Sequence, residues 1–277
     1  MGRSGGDGHT AGRSRLRRVG LLLAVVVAAG TVIAVVEVAY PHGAKGSRPP
    51  ASGAHRAAAL GAGSHTARPP AGSETPKVVS GVQVAWSKVS TLAVYKVPSG
   101  SPDQSLANPN SLGAPLVMLA HDTRPGWVEV YLPERPNESL GWVKSQEVTL
   151  VSDEEHIVVD LSLRRVELFR GRKLVFESTA AVGSPDSPTP TGYFYVTEVL
   201  RLTDPDSAYG PYALGLSGFS GTYQTFEGGP GQIAIHGTDQ PDLIGQYASH
   251  GCVRLSNPEI TALASQVQAG TPVSVVA

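Results

Sequence analysis

Hydrophobic and polar positions change pattern four times along the chain. Val19 to Val36, VGLLLAVVVAAGTVIAVV, is uncharged throughout. At 1.5 Å per residue a helix of that length crosses most of a bilayer. Glu37 interrupts the run, and Val38 and Ala39 extend it to Tyr40, an interfacial aromatic. Residues 1–18 are polar and glycine-rich, with Arg3, Arg13, Arg15, Arg17 and Arg18 against Asp7. The pattern predicts a cytoplasmic basic tail over 1–18, a transmembrane helix over 19–40 and an exported remainder at the outer face of the cell membrane. Lys45 and Arg48 beyond the run temper the charge asymmetry. A cleaved signal peptide is the alternative. Against it, the run exceeds the usual ~7–15-residue apolar region, and no A-x-A-like site follows.

From 41 to 77 the chain is Ala, Gly, Pro, Ser and His with hardly a large apolar residue. Such a segment buries too little surface to offset its ordering entropy and reads as a flexible linker. His42, His55 and His65 lie in it at irregular spacing without acidic or thiol partners, a poor metal-binding pattern.

Over 78–150, short alternating runs separated by Pro, Gly and Asn turns predict a small β domain. WVEVYL, Trp127 to Leu132, crowds large apolar residues onto one short strand. Asn137-Glu138-Ser139 matches a glycosylation sequon, a motif short enough to arise by chance. A second β-rich block occupies 154–277. Strands are expected near Ile157–Asp160, Arg165–Arg170 and Lys173–Ala181, with Arg170-Gly171-Arg172 as a hairpin turn. Ser187-Pro188-Thr189-Pro190-Thr191-Gly192 forms a rigid turn before a strand at Tyr193–Val199. Residues 201–231, rich in Gly, Pro and aromatics, read as a long functional loop, a lid or cleft wall. Asn257 then caps a helix with Pro258 in its first turn, Ile260, Leu263, Ala264 and Val267 at helical spacing and Gly270 at its end. Thr271–Val276 is the closing strand.

Composition supports a mainly β, turn-rich chain of 277 residues: 32 Gly and 22 Pro with 16% charged residues. The formal charge of -1 gives no electrostatic reason to expect nucleic acid as a partner. One cysteine, Cys252, excludes an intramolecular disulfide framework and leaves a thiol to be explained.

That thiol lies in QIAIHGTDQPDLIGQYASHGCVRL, Gln232 to Leu255. Strand alternation puts Ile233 and Ile235 on one face and Gln232, Ala234 and His236 on the other. Val253 and Leu255 share a face, and Cys252 and Arg254 share the opposite one. Two apolar-backed strands thus present an imidazole, a thiol and a guanidinium to one space. A thiol with a pKa of about 8.5 needs a base or an ion-pair partner to attack at neutral pH. His236 and His250 both qualify: His250 lies two residues before the thiol, and His236 reaches it from another strand. Gly251 lets the backbone turn sharply, so the N–H groups of Gly251 and Cys252 are oxyanion candidates. Arg254 suits a substrate carboxylate. A zinc site of His236, His250, Cys252 and Asp239 is the competing chemistry, but the paired ligand motifs of structural sites are missing. Asp239 and Asp242 read as loop-capping residues.

HGT, followed by SHGCVRL with His236 sixteen positions before Cys252, resembles the signature of L,D-transpeptidases of the YkuD type. SPTPTGYFYV upstream is similar to the family's Pro-Thr-Pro-x-Gly turn. The likeness runs over 154–277, and GWVEVYLP with LGWVKSQEV over 78–150 resembles bacterial SH3-like domains. The first resemblance implies a β-sandwich acting without cofactor or metal on peptidoglycan stem peptides. Cys252 would be the nucleophile, releasing D-alanine, with a neighbouring stem amine resolving the acyl-enzyme to a 3→3 cross-link. His236 would be the general base, with Gly251 and Cys252 as oxyanion donors. Ser249, His250, Arg254 and Gly237 would be substrate-binding, and Gly237 offers the imidazole only its backbone carbonyl. The resemblance also implies carbapenem sensitivity. The second resemblance implies a wall-binding or spacer module. Alternatives on the same scaffold are a carboxypeptidase or wall amidase with water as acceptor, or a catalytically silent wall-binding protein.

Overall fold

The computed structural model describes residues 23–28, 31–38 and 81–277; the readings of a basic tail over 1–18 and a linker over 41–77 lie outside the described residues. Strands β1 (Leu23–Ala28) and β2 (Thr31–Val38) form an antiparallel hairpin, where a membrane helix was expected. The β-branched run Val25, Val26, Val27 and Val32, Ile33, Val35, Val36 favours a strand locally, with Gly30 between the two halves. Among the described residues no helix is long and apolar enough to cross a membrane.

The N-terminal domain is an antiparallel sheet of β3 (Val82–Ser87), β4 (Thr91–Tyr95), β5 (Pro102–Ala107), β6 (Val117–Arg124), β7 (Trp127–Tyr131), β8 (Leu140–Lys144) and β9 (Val148–Asp153). Its order is β5-β4-β8-β7-β6-β3-β9. Alternation in WVEVYL sends Val128, Val130 and Leu132 into a core with Val84, Leu92, Met118 and Leu119.

The C-terminal domain is a curled mixed sheet, not the expected sandwich of two facing sheets. Its strands are β10 (Glu155–Asp160), β11 (Arg165–Arg170), β12 (Lys173–Thr179), β14 (Gly192–Leu202), β15 (Tyr212–Phe219), β16 (Gln232–His236), β18 (Val253–Arg254) and β19 (Pro272–Val276). The order is β12-β11-β10-β19-β14-β15-β16-β18, with β2 pairing on β14. Strands β13 (Val182–Gly183) and β17 (Tyr247–Ser249) make a separate parallel pair. The hairpin turn at Gly171 is as expected, at φ 58°. Strand β15 falls inside the stretch read as a loop. Its glycines hid it: a Cβ on Gly215 would overlap the Glu198 carboxylate, and one on Gly218 would press on the Phe194 ring.

The one described α-helix, α1 (Asn257–Ala264), buries Ile260, Leu263 and Ala264 against the sheet. Its cap is Ser256, whose hydroxyl accepts from the Glu259 N–H, and not Asn257. The Asn257 carboxamide is committed elsewhere, accepting from the Thr238 N–H at 2.8 Å. The helix ends at Ala264, before Gly270, whose N–H donates to the Val196 carbonyl.

The two domains share side chains. On β14, Phe194 and Val196 belong to the C-terminal core, whereas Tyr195 is fully buried in the N-terminal one. The Tyr195 hydroxyl donates to the Tyr131 carbonyl at 3.1 Å. Thr271 donates to the buried carboxylate of Asp153, and Asn110 donates to Glu198.

Candidate active site

Strands β16 and β18 lie side by side and parallel, with Ile235 opposite Val253 and His236 opposite Arg254. Ile233, Ile235, Val253 and Leu255 are buried in the core. On the other face His236, Cys252 and Arg254 line one cavity of about 140 Å³. The alternation read from the sequence therefore does bring imidazole, thiol and guanidinium together. A second lobe of about 350 Å³, floored by Gly215 and Ala234, also reaches Cys252. The segment 220–231, with Phe226 and Glu227, borders both lobes.

His236 is buried, and its Nδ1 lies 2.6 Å from the Gly237 carbonyl oxygen. A carbonyl can only accept, so Nδ1 carries the proton and Nε2 keeps its lone pair. Burial pulls the imidazole down to about 4; the Gly237 hydrogen bond opposes the shift and Arg254 adds to it. His236 is therefore a neutral base at neutral pH. The Tyr209 ring leans on it at 4.8 Å.

Cys252 is half-buried. Burial pushes its thiol up from the ordinary value; the Ala234 backbone and Arg254 oppose this, while Glu227 reinforces it. A depressed imidazole beside a raised thiol makes a neutral pair at rest, with proton transfer accompanying attack and not preceding it. Arg254 lines the cavity, and its Nε is buried without a hydrogen-bond partner.

Three expected substrate or oxyanion residues have other work in the fold. The Ser249 hydroxyl accepts from the Gly251 N–H at 3.1 Å and donates to the Cys252 carbonyl. Ser249 is 1% exposed and staples the turn that carries the thiol, so it does not face substrate. The Gly251 N–H of the predicted oxyanion pair is thus engaged within the turn. Gly251 sits at φ 119°, a conformation that strains any other residue. Gly237 points its N–H at the Tyr212 carbonyl and its oxygen at His236, so it orients the base and does not border the cavity. His250 is exposed, and its ring approaches Phe226 at 5.4 Å and Tyr223 at 6.1 Å at the cavity mouth.

One participant was expected only as an aromatic of the cleft wall, and a second was not foreseen. Tyr209 contacts His236 and donates to Glu227 across the cavity at 2.7 Å. Arg135 reaches the segment 220–231 from the other domain. The aromatic-rich composition of 201–231 was the only signal for the first, and separations of 85 to 95 residues left none for the second.

Residues 154–275 match the YkuD model, the L,D-transpeptidase catalytic domain. This stretch is similar to YkuD of Bacillus subtilis (strain 168), itself an inferred L,D-transpeptidase, at 32% identity over 120 residues, covering 43% of the chain and 65% of that protein. The YkuD of Bacillus licheniformis, named in the same way, is 35% identical over 119 residues, covering 43% and 64%. The chain thus spans just under two thirds of the length of these relatives. Among solved structures, the catalytic domain of an E. faecium L,D-transpeptidase acylated by ertapenem is 27% identical, covering 45% of this chain and 98% of that one, with a TM-score of 0.34.

Proposed function

We propose that the protein is a cysteine-dependent L,D-transpeptidase acting on peptidoglycan stem peptides. The observation that carries this reading is the parallel pairing of β16 and β18, which puts a neutral Nδ1-protonated His236 and Cys252 on one cavity with Arg254. A donor tetrapeptide stem enters with its carboxylate toward Arg254. As the Cys252 Sγ attacks the carbonyl preceding the terminal D-alanine, His236 Nε2 takes the thiol proton. The developing oxyanion is held by the Cys252 N–H. His236 returns the proton to the departing amine, D-alanine leaves, and a thioester remains. An acceptor stem amine then attacks the thioester, giving His236 its proton and restoring the thiol with a 3→3 cross-link. The cavity's two lobes meet at Cys252, which supports one as donor site and the other as acceptor site.

The N-terminal domain is read as an SH3-like wall-binding module. The wall-bound substrate and the Arg-rich N-terminus support a location at the outer face of the membrane, where the wall lies. Cell fractionation with protease accessibility of the C-terminal domain tests this location. For the reaction, the test is incubation with tetrapeptide stems followed by muropeptide analysis. Cross-linked dimers and a Cys252 thioester by intact mass support the proposal. Tripeptide alone makes water the acceptor, and no thioester with donor or with a carbapenem overturns it.

A further inference from the structure

The segment that roofs Cys252 is built as a hairpin. At its base the Ser220 N–H donates to the Gly231 carbonyl, and at its tip Phe226 and Gly229 exchange backbone hydrogen bonds. Between them Tyr223, Phe226 and Glu227 face the cavity. Most of the hairpin is exposed, and within the hairpin itself the arms meet at the base through the Ser220–Gly231 backbone hydrogen bond. An isolated hairpin of this kind is marginal in water.

Its support comes from the other domain. Arg135, in the turn after β7, donates to three carbonyls of the hairpin: Ser220 at 2.8 Å, Tyr223 at 2.8 Å and Pro230 at 3.0 Å. These oxygens lie on both arms, so one planar guanidinium holds the base shut. Its carbon also sits 5.0 Å from the Phe219 ring centre. Two residues on, Asn137 takes both backbone groups of Phe219, accepting from the N–H at 2.8 Å and donating to the carbonyl at 3.0 Å. The Asn137 amide of the sequon is thereby committed to the fold. Gly231 completes the clamp at φ 71°: a Cβ there would fall 2.3 Å from the Tyr223 carbonyl and 3.1 Å from the Arg135 guanidinium.

We infer that Arg135 is a positioning residue for the Cys252 site, through which the N-terminal domain holds the hairpin 220–231 over the thiol in its donor-binding form. The tip is tethered within the C-terminal domain by the Tyr209–Glu227 hydrogen bond, whereas the side chain that bridges the two arms, Arg135, lies outside that domain. The inference rests on the proposed reaction for its kinetic arm alone.

The experiment uses the full chain as wild type, Arg135→Ala, Arg135→Lys and Gly231→Ala, all checked for an unchanged melting profile of the two cores. Amide hydrogen exchange over 220–231 reads the clamp directly, and iodoacetamide alkylation of Cys252 reads the roof. Arg135→Ala should raise exchange in the hairpin and speed alkylation, with Arg135→Lys intermediate because an ammonium reaches fewer of the three carbonyls. With a tetrapeptide donor, acylation of Arg135→Ala should lose on the order of tenfold to a hundredfold in efficiency, mainly through KM. Gly231→Ala, whose Cβ would push the Tyr223 carbonyl away from the guanidinium and strain the backbone at φ 71°, should follow Arg135→Ala. Unchanged exchange and alkylation in Arg135→Ala overturn the inference. So does faster exchange with unaltered acylation. If the wild type itself is not acylated, the transpeptidase reading fails, and exchange and alkylation still decide the clamp.

Discussion

The Tyr209 hydroxyl donates to the Glu227 carboxylate at 2.7 Å, joining the loop before β15 to the tip of the hairpin above the thiol. The contact spans the cavity while the Tyr209 ring lies on His236. Glu227 is also one of the groups that raise the Cys252 thiol. The same carboxylate thus closes the site and restrains its nucleophile. Glu227→Gln retains a hydrogen-bond acceptor but removes the charge. Its thiol should titrate lower than the wild type's, so that the pH profile of iodoacetamide alkylation shifts toward acid. An unmoved profile would show that Glu227 acts by closure alone.

Replacing Cys252 with Ala should remove thioester formation altogether and leave the melting midpoint nearly unchanged. The thiol is half-buried, and a one-atom deletion at such a site costs about 1 kcal/mol or less. Intact-protein mass after exposure to a carbapenem gives the readout, with Cys252→Ser as a second control.

His236→Ala should lower the acylation rate by about 10²–10⁴-fold, the usual contribution of a general base. His250→Ala should cost about tenfold or less and act on KM, since its ring touches Tyr223 and Phe226 at the cavity mouth and lies outside the base pair. Because burial holds His236 at about 4, the acid limb of the rate profile should fall near pH 4 and not near 6.5. A larger loss in the His250 variant would reverse the two roles.

Two buried imidazoles should each contribute a loss of stability as pH drops from 6.5 to 4. His156, buried with its Nε2 at 2.9 Å from the Ser274 hydroxyl, is held down to about 4, like His236. In that window the unfolded chain binds protons that the folded chain refuses, so both imidazoles favour unfolding, each by about 3 kcal/mol. Asp153, raised to about 6 mainly by burial, works in the opposite sense over the same range. Glu198, raised by burial, works in the same sense as Asp153, so the contribution of the imidazoles is read as the difference between His156→Gln and wild type in denaturant midpoints at pH 7 and pH 4. His156→Gln should flatten the dependence.

The face that carries the thiol was legible because alternation in two short strands is a local property. Ile233, Ile235, Val253 and Leu255 declare their side, and His236, Cys252 and Arg254 follow from it. Roles set by hydrogen bonds across a turn were not legible: Ser249 and Gly251 satisfy each other, and Gly237 serves the imidazole. Strand β15 was hidden because its glycines exist to admit Glu198 and Phe194 from β14, a reason visible only once those strands pair. In Val19–Tyr40 two local signals compete: apolar length favours a membrane helix, while the β-branched residues favour strands, and residues 23–28 and 31–38 are strands in the structure.

Strand β14 sends adjacent residues into different cores, Phe194 and Val196 into one and Tyr195 into the other. Melting either half would strip a fully buried aromatic from its neighbour. The two halves should therefore denature as one thermodynamic unit, giving a single calorimetric peak whose van't Hoff and calorimetric enthalpies agree. A cut at Glu154 would not yield two independent modules, because the C-terminal piece would carry Tyr195 bare into water.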